Sequence, residues 1–222
     1  MNQTSDTPEK AYLGIVKHYE RCLQRHGDNH KGVDWPNQED ALVRYRVMLD
    51  IIPYESGHRF RVLDFGCGLS HLYEYMRSLK LTHIQYAGLD ISDRFIDCAR
   101  RKFPDNEYYC LDILENPQAL PEFDYILLNG VLTEKCELTY DQMLSYSQRL
   151  IQLVFAKATR GIAFNVMSAH VDWQREDLFH LPFDTLGAFL AKTMKARFVF
   201  RKDYGLYEYT TYVFKGENRW PR

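Results

Sequence analysis

From residue 59 onward, short apolar runs alternate with segments of helical period, and this alternation limits what the chain can fold into more than any other feature. The runs cover residues 61–65, 85–89, 107–111, 125–128 and 161–166, with helical segments at 70–81, 93–102 and 139–158. Their apolarity is continuous rather than alternating, as a strand covered on both faces requires. Such a series reads as successive βαβ units around a parallel sheet. After residue 166 come a long irregular stretch and a helix over 183–193. Two segments rich in aromatic and β-branched residues follow, 197–202 and 206–214, with only residues 203–205 between them. They read as an antiparallel hairpin. The expectation is an α/β fold of five parallel strands closed by that hairpin.

Residues 1–58 read differently, as a helical extension that forms a lid over the domain of residues 59–222. A helix over 11–25 carries Leu13, Val16, Tyr19 and Leu23 on one face. The segment HGDNHKGVDWPN, residues 26–37, holds two Gly, two Asn, two Asp and a Pro, so it is a loop. A second helix over 38–51 stops before Pro53 and carries Leu42, Tyr45, Val47 and Leu49. His26 and His30 have a metal-ligand spacing, but Gly27, Asp28 and Asn29 break the helix that would align them, and no metal site is expected.

Composition narrows the partners. The 28 basic residues nearly cancel the 30 acidic ones, which leaves a formal charge of −2 and no general attraction to phosphate backbones or anionic lipid. Five cysteines without a CxxC pair read as free thiols in a reducing compartment. The opening residues MNQTSDTPEK contain no apolar leader, and no apolar stretch reaches membrane-spanning length. A soluble, cytoplasmic protein without nucleic-acid or membrane partners is expected.

The motif with chemistry in it is VLDFGCGLSHL, residues 62–72. A strand delivers Asp64 at its carboxyl end, and Gly66, Cys67 and Gly68 make a tight turn that opens a helix. Glycines there let the backbone approach a ligand, and a helix N-terminus offers N–H groups. Asp90, in YAGLDIS, ends the next strand, where a carboxylate accepts both hydrogen bonds of a ribose diol. Asp112, in YYCLDIL, ends the third, within reach of an adenine amino group, with Ile91 and Ile113 placed to sandwich the ring. The run FDYILLNGVL brings Asn129 and Gly130 beside the first glycine turn. Any one of these acids could merely cap a helix, as Ser92 or Asp93 can. Three at one sheet edge are more than core packing needs. A dehydrogenase shares the glycine turn and the ribose acid, but His71 stands where its fingerprint needs a small residue, and an antiparallel last strand is foreign to it.

Asp64-Phe65-Gly66-Cys67-Gly68, Asp90 and Asp112, in this order, resemble the class I S-adenosylmethionine-dependent methyltransferases. The resemblance covers about residues 59–215. It implies a Rossmann-like, seven-stranded, mostly parallel sheet with an antiparallel last strand, and S-adenosyl-L-methionine as cofactor. Carried over residue by residue, Gly66 and Gly68 border the methionine moiety, with Asp64 and Cys67 in the same turn. Asp90 holds the ribose, Asp112 the adenine, and Asn129 and Gly130 lie near the methionine amino group. One departure is Ser70, where the family has its third glycine; a serine there can still supply an N–H or cap the helix. The loop HGDNHKGVDWPN with Arg44, AFNVMS (163–168) and DYGLYEYT (203–210) resemble a bacterial subfamily of unassigned substrate.

The implied reaction is transfer of a methyl group to oxygen or nitrogen of a small molecule by in-line displacement. Nucleic acid is not the expected acceptor. The loop after the fourth strand reads NGVL, no Pro-Pro occurs, and none of the eight prolines precedes a cysteine. A protein acceptor, and a non-catalytic S-adenosylmethionine-binding module, are the alternatives. The acceptor wall should come from the N-terminal loop, the stretch after residue 166 and the hairpin. Trp35 reads as a roof over the cofactor or an anchor for the helices, and Arg44, more than Lys31, as a partner for the cofactor carboxylate. Glu208 among aromatics and His170 are the candidates for catalytic proton removal; Glu208 is otherwise an exposed edge charge, and His170 and Asp172, placed after the fifth strand for acceptor contact, are otherwise ordinary loop polarity. Asn165, a polar residue in an apolar strand, is a further candidate.

Overall fold

The computed structural model describes residues 10–54 and 57–216; residues 1–9, which carry most of the stretch examined for a leader, lie outside the described residues. Two N-terminal helices, α1 (Leu13–His26) and α2 (Gln38–Leu49), precede the sheet. Then follow β1 (Phe60–Phe65), α3 (His71–Ser78), β2 (Ile84–Asp90), α4 (Asp93–Lys102), β3 (Glu107–Cys110) and β4 (Phe123–Leu128). The last part holds α5 (Tyr140–Lys157), β5 (Ala158–Ser168), a two-residue β6 (His180–Leu181), α6 (Phe183–Ala188), β7 (Arg197–Arg201) and β8 (Glu208–Phe214). Strand order is β3-β2-β1-β4-β5-β8-β7, with β6 paired to β5 off this path. The first five strands run parallel, and β8 inserts antiparallel between β5 and β7. The seven-stranded sheet with its reversed last strand is therefore present. The short β6 is an addition that the irregular composition after residue 166 did not signal.

Each strand divides its side chains between two cores. Leu63, Ile126, Leu128 and Phe164 point to one face, where α5 and α6 supply Met143, Leu150, Ile151 and Leu186, and Leu190 follows just after α6. Val62, Tyr125, Leu127 and Ala163 point to the other, where α2, α3 and α4 supply Met48, Met76 and Ile96. The two-residue period of a strand makes this division, and it explains the continuous apolarity of the runs. The N-terminal helices also split between the faces. Tyr12 and Ile15, at the α1 end, join the α5 side, whereas Ala41, Tyr45 and Met48 of α2 join the α3 side. The chain between them must cross from one face of the sheet to the other. It does so over the carboxyl ends of the strands, with Val33 against Gly68 and Trp35 against Gly130.

Two helical faces differ from expectation. In α1 the buried stripe is Tyr12, Ile15 and Cys22, while Leu13 and Leu23 are half-buried. In α2 the buried residues include Ala41, Arg44, Tyr45 and Met48, and Leu42 is 41% exposed. The spacing i, i+3, i+4, i+7 thus runs through an arginine, which a purely apolar reading of the face passes over. Among the described residues no helix is long and apolar enough to cross a membrane.

The rotated face of α2 has a measurable consequence. Met48→Ala removes a fully buried side chain and should cost about 2–4 kcal/mol in urea denaturation. Leu42→Ala should cost less than about 0.5 kcal/mol. Equal losses at the two positions would contradict this packing.

Candidate active site

The crossing segment roofs a cavity at the carboxyl ends of β1, β2, β3 and β4, where ligands of open α/β sheets bind. Its space, mouth included, is about 1100 Å³. Asp64, Gly66, Cys67 and Gly68 line it from β1, Asp90 and Ile91 from β2, and Asp112 and Ile113 from the end of β3. Asn129 and Gly130 follow from β4, and Trp35 from the roof. The structure thus brings together every expected cofactor residue except Arg44.

The acids are held in different ways. Both Asp90 oxygens accept backbone N–H groups, from Gly68 at 2.9 Å and Ser92 at 3.0 Å. The carboxylate of β2 thereby fixes the glycine turn of β1. Asp64 accepts the Tyr86 hydroxyl at 3.0 Å. Burial raises the pKa of Asp64 to about 7 and that of Asp90 to about 6, with their hydrogen bonds opposing the shift. Asp112 accepts the Leu114 N–H at 2.9 Å and the Tyr12 hydroxyl at 2.5 Å. Tyr12 itself stacks on Tyr146, with ring centroids 5.2 Å apart. Ser92 does not cap α4 with its side chain; its hydroxyl donates to Glu20 of α1 at 2.6 Å.

The glycine turn keeps the backbone its motif demands. Gly66, Gly68 and Ser70 all have positive φ, and Ser70, at φ 58°, takes up the left-handed conformation of the glycine it replaces. Its hydroxyl does not cap α3. It meets Tyr108 Oη at 3.0 Å and receives the Tyr86 hydroxyl at 3.3 Å. Gly130, at φ 81°, leaves no room for a Cβ, which would stand 2.8 Å from the Trp35 ring.

Three expected roles are corrected. Glu208 is 1% exposed and does not reach the cavity wall. Its Oε2 accepts Arg44 Nε and its Oε1 accepts Asn165 Nδ2, each at 2.7 Å. A carboxylate with both oxygens engaged by buried donors is a support, not a free base. Arg44 lies outside the cavity lining; its guanidinium covers the Trp35 ring, 4.1 Å from the centroid. His170 is exposed, stacks on Phe183 with centroids 4.9 Å apart, and also lies outside the lining. The polar outlier Asn165 is fully buried, and its Oδ1 accepts the Gly130 N–H at 2.7 Å. Trp35, Arg44, Glu208, Asn165 and Gly130 therefore form one closed circuit, because Trp35 rests on Gly130.

Tyr12, just before α1, Ile15, Val16 and Tyr19 of α1, and Tyr45 of α2 line the cavity, and none of them had been named as a site residue. The i, i+3, i+4, i+7 spacing of the first four was a readable signal, but it identifies a buried face and not what that face covers.

The donors and acceptors fit a nucleoside-bearing amino acid. Asn129 Oδ1 is buried with no partner among the described residues, an acceptor that fits a ligand amino group. Asp90 ends β2 and Asp112 follows the neighbouring β3, and the apolar Ile91 and Ile113 line the same cavity, a set that fits a ribose and an adenine.

Two measurements probe this framework. The Asp64 carboxyl keeps its proton longer in the folded chain, so its contribution to stability is full below pH 4 and is lost as pH rises through about 7. The melting temperature of ligand-free Asp64→Asn, relative to wild type, should therefore rise steadily from pH 5 to pH 8. A pH-independent difference would refute the shift. Arg44→Met and Glu208→Gln should each cost about 3 kcal/mol or more, because each strands a buried partner. Together they should cost clearly less than the sum in a double-mutant cycle.

Comparison with known proteins agrees with this geometry. A family profile described as a methyltransferase domain matches residues 63–154, from β1 through most of α5. A Mycobacterium tuberculosis protein named as a methyltransferase, Rv1506c, is 24% identical over 163 residues, covering 70% of this chain and 93% of its own. Magnesium protoporphyrin IX methyltransferase of Synechocystis, solved with S-adenosylmethionine, superposes with a TM-score of 0.63 at 13% identity, covering 97% of this chain and 100% of that one. The plantazolicin methyltransferase BpumL gives 0.60 at 14% identity, covering 94% and 100%. Human N-acetylserotonin methyltransferase gives 0.56 at 16% identity, covering 96% and 72%. The solved structures share the fold, and the domain profile spans β1 through most of α5. These matches show an S-adenosylmethionine-dependent methyltransferase whose fold is that of the class I enzymes it resembles.

Proposed function

We propose that this methyltransferase acts on a small-molecule acceptor, at oxygen or nitrogen, by in-line displacement beneath a lid made by its N-terminal extension, residues 1–58, on the domain of residues 59–222. The observation that carries the reading is the order of groups along one sheet edge: Asp112, Asp90, the Gly66–Gly68 turn and Asn129, on adjacent strands β3, β2, β1 and β4 around one cavity. That order matches the order of groups along the cofactor, from adenine through ribose to methionine. Asp112 and the Ile91–Ile113 pair take the adenine, Asp90 the ribose hydroxyls, and Asn129 the amino group.

S-adenosylmethionine supplies, when bound, a methyl group on a positively charged sulfur that is already a good leaving group. The chain's own work is then alignment and exclusion of water. Val33 and Trp35 roof the cavity, and Tyr19 and Tyr45 close its sides. Enclosure of this kind favours a small acceptor over a protein surface. The named acceptors of the structural neighbours, a protoporphyrin and N-acetylserotonin among them, support the same class.

Calorimetric titration with S-adenosylmethionine and S-adenosylhomocysteine tests the assignment. Wild type should bind both in the micromolar range, and Asp90→Ala, if its melting profile stays cooperative, should bind at least about tenfold more weakly through loss of charge-assisted hydrogen bonds. Unchanged affinity in the variant would remove Asp90 from the ribose site.

A further inference from the structure

Where α1 meets the roof segment, three side chains with metal-binding atoms come together. His18 and Cys22 stand one helical turn apart on α1, and Asp34 ends the short 3-10 helix His30–Val33 that leads into Trp35. One donor atom from each, His18 Nε2, Cys22 Sγ and a carboxylate oxygen of Asp34, lies within 4.8 Å of the other two. Cys22 Sγ is 3.8 Å from His18 Nε2, which is 2.7 Å from Asp34 Oδ2. Among the described residues no other three His, Cys, Asp or Glu side chains meet in this way. His26 and His30, the pair with metal-ligand spacing in the sequence, take no part.

The backbone holds each donor in place. The i, i+4 spacing sets His18 and Cys22 on one face of a regular helix. Asp34 has a left-handed φ of 59°, a conformation aspartate tolerates, and its N–H donates to Lys31 O at 3.1 Å. The next N–H, of Trp35, donates to His30 O at 2.8 Å. Gly32 is folded so closely onto the end of α1 that a Cβ there would stand 2.0 Å from Gly27 O. Cys22 is buried, whereas the side chains of His18 and Asp34 keep 28% and 36% of their exposure, which leaves an ion a way in.

The donor set selects the ion. Around tetrahedral zinc, sulfur, nitrogen and oxygen donors sit about 3.4–3.6 Å apart, so Cys22 and His18 are near bonding separation and Asp34 needs to draw back by about 0.7 Å. A thiolate beside an imidazole suits zinc and is foreign to magnesium or calcium. The charges that bear on Cys22 are those of Asp34, Arg25, Glu134 and Arg21. Two acids thus stand against two cations, and it is the donor atoms, not the surrounding field, that choose the ligand.

We infer that His18, Cys22 and Asp34 form a site for one zinc ion, with water in the fourth position, which fastens α1 to the roof. On binding, the Cys22 thiol gives its proton to solvent as the sulfur–zinc bond forms, and His18 bonds through a neutral Nε2. Tyr19 of α1 and Val33 and Trp35 of the roof all line the cavity, so zinc at this joint sets how readily the cavity opens. The site stands independently of which ligand the cavity holds.

The test titrates Zn²⁺ alone into the full chain, reduced and freed of metal by chelation. Calorimetry should give one ion per chain with a Kd of about 1 μM or tighter. Co²⁺ in its place should show a thiolate-to-cobalt charge-transfer absorption. Cys22→Ser and His18→Ala should each weaken zinc binding at least about tenfold, and the partly exposed His18 serves if the buried Cys22→Ser does not fold. Cys136→Ser and His26→Ala should leave it within about twofold. At free Zn²⁺ ten times the Kd, tryptic cleavage after the exposed Lys31 should slow about tenfold in wild type and stay unchanged in His18→Ala. Absence of zinc binding, wild-type affinity in Cys22→Ser or His18→Ala, an equal loss in Cys136→Ser, or cobalt binding without the thiolate band would each overturn the site. Zinc binding that leaves cleavage after Lys31 unprotected would overturn the fastening.

Discussion

The buried ion pair between Arg44 and Glu208 is the interaction on which the site's assembly rests. It joins α2 of the N-terminal extension to β8, the strand latest in sequence, across 164 residues of chain. Neither partner could be desolvated alone. The guanidinium gains the carboxylate and the Trp35 ring, and the carboxylate gains the Asn165 amide. Such a pair adds little net stability over apolar packing, but it is unforgiving of misplacement. Its consequence here is geometric. Asn165 holds Gly130 N–H, and Trp35 rests on Gly130, so roof, sheet and β4 loop are set in register by one circuit.

The same sheet edge concentrates carboxylates where water is scarce. Asp64 and Asp90 lie on adjacent strands, each buried; the charge of Asp90 disfavours that of Asp64, and the charge of Glu20 disfavours that of Asp90. Folding the empty site therefore works against full ionisation near neutral pH. Ligand hydroxyl and amino groups, donating into that edge, would offset part of the desolvation. The arrangement trades stability of the empty protein for affinity, a common cost at functional sites.

The central fold was legible because each strand is doubly covered and each turn carries glycine, so local composition and tertiary role coincide. The acids that line the cavity were legible for the same reason: Asp64, Asp90 and Asp112 end strands, and a strand's end is visible in sequence. Glu208, Arg44 and His170 were misassigned because their roles depend on which residue from a distant segment meets them. Nothing near Glu208 in sequence announces Arg44. Leu42 and Arg44 exchanged places between surface and interior because a cation over an aromatic ring can be buried like an apolar side chain.

The two N-terminal helices are not attached with equal strength, and the difference bears on how a roofed cavity exchanges its ligands. α2 is held by Arg44–Glu208 and by the Tyr212 hydroxyl donating to Val47 O at 2.5 Å, both in the interior. The polar ties of α1 and the roof are more exposed. Asp28 bonds His71 and Lys102 at the surface, and Asp34 bonds a partly exposed His18. Exposed pairs of this kind contribute about 0–1 kcal/mol each. Two further ties of the α1 segment end at acids of the proposed cofactor site, Tyr12 on Asp112 and Glu20 on Ser92 beside Asp90. A ligand that occupies Asp112 competes directly with Tyr12 for its oxygens. The attachment that yields most readily is thus the one the ligand itself contests, while the α2 side keeps the Gly130 turn in place.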